Sequence, residues 1–345
     1  MDKYKDIRAY RVGWILAVID WFTVLPILKI WALRTTKGIR MEYLGERKQI
    51  ERDIKHGAFF LTNHRDIILD AAWLSYRLRL RYFIRPFMGV GNNLFAKPWI
   101  EHLMRFMRCF VVKRGEGVHA QLENAKQLSA YIRMLRSQGK SIWLAQREGR
   151  AKDSNDLTQA SVLHMLTLGD DDFFENVKAL NICPVSITYE FDPCDYLKAK
   201  EFQQKRDDPN FVKSQRDDLL SMETGILNNK GRAHFTICTP INEFISQLDP
   251  KMDKVELYAT IANTIDQQIF KHYHFYPCNY VAYDIQNGCR RFHDHYGPKD
   301  KKQFETYLQN QLDKIVLPNK DEAFLRGKIL EMYSNPLKNY LSTPQ

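Results

Sequence analysis

The sequence predicts an α/β protein in which helices flank a mostly parallel central sheet, with an N-terminal helical segment and a mostly helical C-terminal extension. Two observations support this fold class. Short continuous apolar runs, typical of strands buried on both faces, alternate with stretches of helical period up to about residue 245. Beyond that residue the pattern is mostly helical. We therefore expect an N-terminal segment (1–40), an α/β domain (41–245) and an extension packed on that domain (246–345).

The N-terminal segment contains an apolar stretch, residues 12–33, that is interrupted by Asp20, Pro26 and Lys29. Two charges and a central proline are unusual for a membrane-spanning helix, and no small-residue cleavage site follows that would indicate a secretory signal. The stretch is rich in tryptophan and flanked by arginine, which favours a pair of helices lying in the head-group region of a membrane. A core helix broken at Pro26 is the alternative. The first interpretation predicts a peripheral or monotopic protein at the cytoplasmic face of the cell membrane.

The remaining elements follow from their residue patterns in chain order. The apolar runs predict strands at 58–63, 81–89, 108–114, 141–146, 181–190 and 232–240. The helical periods predict helices at 66–78, 99–107, 117–139, 255–273 and 320–340. Asp66 has the position and residue type of a helix N-cap, and Gly139 is typical of the residue that ends a helix.

Charge is distributed unevenly along the chain. The formal net charge is +10, but residues 1–150 hold 28 Lys and Arg against 13 Asp and Glu, while the remainder holds 23 against 28. A basic first half indicates an anionic partner, such as a phosphorylated substrate, an anionic membrane surface or nucleic acid. No nucleic-acid-binding motif accompanies the charge, so we expect no nucleic-acid partner. Six cysteines without a C-x-x-C pair are typical of buried thiols in a reducing compartment, and we expect neither disulfides nor a metal site.

The tripeptide His64-Arg65-Asp66 resembles the catalytic loop of protein kinases, but the rest of the sequence excludes that class. A kinase needs an asparagine five residues beyond the aspartate, where this chain has Ala71. Residues 1–63 also lack a glycine-rich loop, since their four glycines are scattered.

A different interpretation starts from Asn63 and His64, which end a predicted strand, with Asp70 six residues after the histidine. In an open α/β sheet, ligands bind at the carboxyl ends of the strands. If His64 lies in the turn before the helix, Asp70 can fold back to its imidazole, and a histidine paired with a carboxylate can act as a general base. A hydrogen-bonded histidine at a strand end is the alternative for this pair alone.

Polar residues end or follow two further predicted strands. Lys113 and Arg114 end one of them, and Arg147, Glu148, Gly149 and Arg150 directly follow the other. Two arginines that flank a glycine form a suitable phosphate clamp, because guanidinium groups match phosphate oxygens and glycine permits close backbone approach. A later strand contains Pro184, which requires a strand edge, a bulge or a special loop.

Taken in order, these blocks resemble the glycerolipid acyltransferase family, best known for lysophosphatidic acid acyltransferases. Residues 63–70 resemble its His-x4-Asp block, "CFVVKR" its second block, "REGR" its third and "NICPVSI" its fourth, over roughly residues 56–190. The spacer here is five residues instead of four, which resembles the branch that makes amino-acid-based lipids such as ornithine or glycine lipids, and also some other bacterial members of the superfamily. In the third block Arg147 replaces the usual proline, and the usual threonine is missing.

The resemblance implies a mechanism in which His64 deprotonates an acceptor hydroxyl, Asp70 holds the histidine in its basic tautomer, and the alkoxide attacks an acyl thioester. It implies an anionic head group held by Lys113, Arg114 and Arg150, in a loop shaped by Glu148 and Gly149. Further candidate substrate-binding residues are Asn63, Arg65 and Arg147. Acyl carrier protein or coenzyme A would deliver the acyl group as a co-substrate, with no tightly bound cofactor, at the inner-membrane surface.

Three functions follow from these expectations. The first is O-acyl transfer to a lysophosphatidic-acid-like glycerolipid in membrane phospholipid biosynthesis. The second is O-acyl transfer that completes an amino-acid lipid. The third is non-catalytic binding to anionic membranes through the same basic residues.

Overall fold

The computed structural model describes residues 4, 7–9, 14–95, 98–113, 117–169 and 172–344. Within these ranges seven strands form one sheet. The strands are Ile39–Tyr43 (β1), Phe59–Thr62 (β2), Phe87–Gly91 (β3), Cys109–Val112 (β4), Ile142–Ala145 (β5), Ile182–Tyr189 (β6) and Ala233–Ile237 (β7).

The sheet has the strand order β1-β7-β6-β2-β5-β3-β4. Every neighbouring pair is parallel except β6 and β7, which are antiparallel. In the centre, Phe59 of β2 lies opposite Ile142 of β5 and Ile182 of β6. The predicted α/β class with a mostly parallel sheet is therefore confirmed, although β1 was not predicted. This edge strand is short and only half-buried, so it lacks the continuous apolar run that identifies the central strands.

Fourteen α-helices connect and cover the strands in the described part of the chain. They are Trp14–Thr35 (α1), Arg47–Lys55 (α2), Leu69–Tyr82 (α3), Pro98–Phe106 (α4), Val118–Ser137 (α5), Ala160–Thr167 (α6), Phe173–Leu180 (α7), Asp195–Asp207 (α8), Gln215–Leu227 (α9), Asn242–Ser246 (α10), Lys254–Lys271 (α11), Pro277–Gln286 (α12), Pro298–Asp313 (α13) and Glu322–Ser342 (α14).

The helices pack on both faces of the sheet. On one face α5, α6, α7 and α11 form a core with alternate side chains of β2 and β4, including Leu61 and Phe110. On the other face α1 and α3 pack on the opposite side of the same strands, around Phe60 and Trp73. Because both faces are covered, the central strands are apolar along their whole length.

The α1 helix differs from the expected helix pair. It is continuous through Pro26, which is exposed, so water can reach the backbone carbonyl that the proline leaves without its helical partner. One side of α1 packs on α3 through Leu25, Leu28 and Ala32. The other side exposes large apolar side chains, namely Val18, Phe22, Ile27, Ile30 and Leu33. No helix in the described ranges is both long and apolar enough to cross a membrane.

Pro184 lies inside β6, one residue before the segment that pairs with β7. The paired positions of that ladder are 185–189 on β6, and the Pro184 carbonyl accepts a hydrogen bond from the Cys238 N–H at 2.9 Å. The carbonyl and nitrogen of one strand residue point to the same side, so the missing proline N–H falls on the side where β6 has no paired strand residue. The predicted local edge therefore accounts for the proline.

The C-terminal extension contributes to the core of the α/β domain. α11 packs against β6 and α6, and Leu257, Ile261 and Ile265 are fully buried in that core. The following helices α12, α13 and α14 form a further core together with α8, which includes Ala199, Phe304 and Leu325.

Candidate active site

A cleft of about 520 Å³ opens at the carboxyl ends of the central strands. His64 follows β2 and lines this cleft together with Trp143 of β5, whose ring meets the imidazole edge to face at a centroid distance of 6.2 Å. Six of the predicted site residues line it: His64, Lys113, Arg147, Glu148, Gly149 and Arg150. Arg114 lies outside the described residues.

The turn between β2 and α3 brings Asp70 back to His64. The Asp66 Oδ1 atom accepts hydrogen bonds from the N–H groups of Ile68 and Leu69, both at 2.9 Å, which fixes the turn before the helix. Asp70 is the second residue of α3, and its Oδ2 atom lies 2.9 Å from the Nδ1 atom of His64. The five-residue spacer is therefore taken up by the turn, and the expected contact forms.

The Asp70 carboxylate is fully buried and saturated with donors. In addition to His64, its Oδ2 atom accepts from the N–H groups of Arg65 at 2.7 Å and Asp66 at 3.0 Å. Its Oδ1 atom accepts from the Tyr189 hydroxyl at 2.9 Å. Burial and the Asp70 charge raise the pKa of Tyr189 well above its usual value, so this hydroxyl remains a donor.

This arrangement determines the tautomer of His64. A carboxylate that faces Nδ1 can only accept, so Nδ1 carries the proton and the lone pair lies on Nε2. His64 is partly exposed, with 13 % of its side chain accessible from the cleft side. The pair therefore has the geometry of a general base with a fixed orientation.

Asn63 and Arg65 were predicted to contact substrate, but both side chains are buried outside the cleft lining. The Asn63 side chain extends the β2–β6 pairing by one residue: its Oδ1 accepts from the Ile187 N–H at 2.7 Å and its Nδ2 donates to the Ile187 carbonyl at 2.9 Å. Arg65 forms an ion pair with the buried Asp156 at 2.6 Å. The structure thus gives both residues a supporting position beside His64 instead of a position in the cleft.

Asp156 connects three separate parts of the chain. Its Oδ2 atom accepts from Asn63 Nδ2 at 3.1 Å and from the Tyr273 hydroxyl at 2.6 Å, in addition to the contact with Arg65. Tyr273 belongs to the C-terminal extension, directly after α11. The residues on both sides of His64 are therefore held through a carboxylate that the extension also contacts.

The cationic part of the cleft comes from the loop after β5 and from the end of β4. Lys113 and Arg150 form no ion pair within the described part of the chain, and the Arg147 Nε atom is buried without an acceptor there. Gly149 has a φ of +69°, a conformation that glycine adopts without strain. Two further cations line the cleft and are already paired: Lys152 contacts Glu201, and Lys213 contacts Asp218 at 2.5 Å.

Apolar side chains form the rest of the cleft. They come from β3, β4, α5 and α6, and include Val90, Val112, Ala125, Leu128, Val162 and Met165. Gly89 lies in this wall, where an added Cβ would approach Leu144 Cδ1 to 2.5 Å and the Phe110 ring to 3.0 Å. The cleft thus combines an apolar wall, a cationic rim and one histidine between them.

Within the described ranges, no group of three or more His, Cys, Asp and Glu side chains is suitable for a metal ion. The sequence did not identify Tyr189, Asp156 or Tyr273 as parts of the site. The first is the last residue of a strand, the second lies in a polar loop and the third is in the extension, so no local pattern sets them apart.

Residues 40–188 match the family model Acyltransferase. The matched segment contains His64, Asp70, the cationic loop and strands β2 to β6. It supports the glycerolipid acyltransferase family, and acyl transfer as the general reaction of this domain. A comparison with curated proteins found no match.

Proposed function

We propose that this acyltransferase domain transfers a fatty acyl group from an acyl thioester to the hydroxyl of a lysophosphatidic-acid-like glycerolipid, in membrane phospholipid biosynthesis. One observation carries the proposal: a histidine fixed by a buried carboxylate lies between an apolar wall and a cationic rim of one cleft. A lysophospholipid and an acyl thioester together present a free hydroxyl, an anionic head group and long acyl chains, which are the groups that such a cleft would accept.

In the proposed reaction His64 Nε2 removes the proton of the acceptor hydroxyl. The oxygen attacks the thioester carbonyl and forms a tetrahedral intermediate, which collapses to an ester as the carbon–sulfur bond breaks. The proton on Nε2 then passes to the departing thiolate. Asp70 stabilises the imidazolium between these two steps through the Nδ1 contact of 2.9 Å. The acyl group is transferred directly, so no acyl-enzyme intermediate is required.

The head group is assigned to the cationic rim. Lys113 and Arg150 have no ion-pair partner among the described residues, so their charges are available for a phosphate. Arg147, which replaces the proline of the family pattern, adds a third cation, and its Nε has no acceptor among the residues that the structure describes. Glu148 and Gly149 shape the loop, with the Glu148 N–H bonded to Gln159 Oε1 at 2.7 Å.

The acyl chain is assigned to the apolar wall of β3, β4, α5 and α6. Burial of apolar surface contributes roughly 0.8 kcal/mol for each CH₂ group, so even a short segment of chain in this wall contributes several kcal/mol of binding energy. The donor would be acyl carrier protein or an acyl-coenzyme A. Both are acidic, which suits the basic first half of the chain.

We also propose that α1 holds the protein on the cytoplasmic face of the membrane as a peripheral or monotopic protein. The outward side of α1 exposes Phe22 at 73 % and Leu33 at 72 %, with Lys29 and Arg34 exposed on the same helix. Apolar side chains among cations on one side of a helix are typical of interfacial helices.

The competing acceptor is a lyso-aminolipid, favoured by the five-residue spacer between His64 and Asp70. The two possibilities differ in the acceptor only, because the base and the acyl wall would be the same. An acceptor panel separates them: lysophosphatidic acid, lyso-ornithine lipid and lyso-glycine lipid, each with acyl carrier protein and coenzyme A donors.

The decisive experiment compares the purified, detergent-solubilised wild type with His64→Ala and with the control variant His293→Ala, which removes an exposed histidine of the extension. Loss of a general base lowers the rate by about 10²- to 10⁴-fold. We expect that loss in His64→Ala and full activity in His293→Ala. Equal activity in the wild type and His64→Ala would refute His64 as the general base. No activity of the wild type with any pair of substrates would leave membrane binding without catalysis as the function.

A further inference from the structure

A second depression, the arginine groove, lies at the end of the sheet opposite to His64. It is lined by residues 41–45 of β1 and the following loop, and by Arg77, Arg81 and Tyr82 near the end of α3. β6 is parallel to β2, the strand that precedes His64, whereas β7 is antiparallel to β6 and β1 is parallel to β7. The carboxyl end of β1 therefore lies at the end of the sheet opposite to the catalytic cleft. The groove has a volume of about 570 Å³ and shares no described lining residue with that cleft.

The two arginines of the groove have no carboxylate partner among the described residues. The Nε atom of Arg77 is buried and has no hydrogen-bond acceptor there. Glu42 is the acidic residue of the described lining, and its Oε2 atom instead lies 3.3 Å from His234 Nε2. A buried donor without an acceptor is unfavourable, so an anionic ligand here would satisfy both a charge and a hydrogen bond.

Two tyrosines add donors to the same groove. The rings of Tyr43 and Tyr82 meet edge to face with centroids 5.3 Å apart. The Tyr43 hydroxyl donates to the Met41 sulfur at 2.9 Å, and a thioether is a weak acceptor that an anionic oxygen can replace. Burial and Tyr82 raise the pKa of Tyr43, so its hydroxyl is protonated and available as a donor.

An exposed aromatic platform adjoins the groove. Phe83 follows Tyr82, ends α3 with a φ of 59°, and is 77 % exposed. A left-handed conformation is strained for phenylalanine and would be unstrained for glycine, so this position presents an aromatic ring at a conformational cost. The ring stacks on Trp21 of α1, with centroids 5.4 Å apart and planes 13° apart.

We propose that the arginine groove binds the phosphate of an anionic amphiphile, whose apolar part lies against the Trp21–Phe83 ring pair. Two guanidinium groups match the charge of a phosphate monoester, which is about −1.5 to −2 at neutral pH, and each can form a bidentate contact. This site is distinct from the acceptor site proposed in the catalytic cleft, and it does not depend on the identity of the catalysed reaction.

Hydrogen exchange measured by mass spectrometry on the full-length protein tests this proposal, because it separates the groove from the cationic cleft. The probes are dihexanoyl phosphatidic acid, dihexanoyl phosphatidylcholine, glycerol 3-phosphate and inorganic phosphate. We expect phosphatidic acid to slow exchange over residues 41–45 and 77–83, with much weaker effects from the other three probes. Arg77→Gln/Arg81→Gln raises the dissociation constant for this local protection by about tenfold or more, since hydrogen bonds to charged groups are lost. The control Arg290→Gln/Arg291→Gln, which removes two exposed arginines of the extension, leaves it unchanged.

A second variant, Phe83→Gly, separates the apolar contact from the charge. Glycine accepts the φ of 59°, so the fold is retained. We expect this variant to bind phosphatidic acid no better than glycerol 3-phosphate. If inorganic phosphate protects the groove as well as phosphatidic acid does, the ligand is free phosphate and the amphiphile is excluded. If no probe protects the groove, or if the double arginine variant retains the affinity, the proposal is wrong.

Discussion

Tyr273→Phe is the substitution that best tests whether the C-terminal extension supports the catalytic loop. It removes a hydroxyl that lies 2.6 Å from the Asp156 carboxylate and leaves the ring in place. Asp156 keeps its contacts with Asn63 and Arg65 of the catalytic loop, so the carboxylate stays paired. It loses only its contact with the extension. A hydrogen bond to a charged group contributes about 1.5–3 kcal/mol, and we expect the free energy of unfolding to fall by that amount.

Activity should fall in the same variant because Asn63 and Arg65 flank His64 and share the Asp156 contact. A displacement of about 1 Å can cost roughly a hundredfold in rate, so we expect kcat/KM to fall by between about tenfold and a hundredfold. The assay is urea unfolding together with steady-state acyl transfer.

Tyr258→Phe is the matched control, because this tyrosine lies in α11 of the same extension and contacts the hydroxyl of Thr167 at 2.5 Å. It should lose about 0.5–1.5 kcal/mol of stability, as for a neutral hydrogen bond, and keep its activity. If kcat/KM is the same in both variants, the extension does not position the catalytic loop and the reasoning is refuted.

Three further predictions concern other parts of the molecule. Asp70→Asn keeps the contacts, because its oxygen can face His64 while the Tyr189 hydroxyl turns to accept. We expect kcat to fall by about a hundredfold to a thousandfold with little change in Tm, since only the imidazolium loses its countercharge, and an unchanged kcat would contradict this. Burial and Asp192 raise the pKa of Asp195 from 3.8 to about 7, so its stabilising contribution is complete below pH 4 and lost as the pH rises to 7. Asp195→Asn should therefore gain stability relative to wild type by roughly 4 kcal/mol over that window in urea unfolding, whereas parallel pH curves would exclude this effect. Phe22→Ser should weaken binding to anionic vesicles by about tenfold or more in a flotation assay, whereas Val316→Ser, an equally exposed position in the extension, should not.

The sequence allowed the sheet and the residues that line the cleft to be predicted, because both depend on local signals. Each central strand is a continuous apolar run, and His64, Lys113 and Arg150 come directly after or close behind such runs. Parallel strands place their carboxyl ends at one edge, so those residues had to meet.

The buried residues that support His64 depend on contacts between residues that are far apart in sequence. Tyr189 is 119 residues from Asp70, and Tyr273 is 117 residues from Asp156. Nothing in their neighbouring residues indicates these partners. For the same reason Asn63 was expected in the cleft: its position beside His64 is visible in the sequence, whereas its bonds to Ile187 of β6 are not.

The contribution of the extension to the sheet has a practical consequence for building hybrid enzymes. The matched family segment ends at residue 188, yet its edge strand β1 pairs with β7, and α11 fills the core behind β6. A fragment cut at residue 188 would expose that core and leave Asp156 without the Tyr273 hydroxyl. A chimera that exchanges acceptor specificity should therefore take its crossover points in surface loops within the domain, and retain the native chain from β7 through Tyr273.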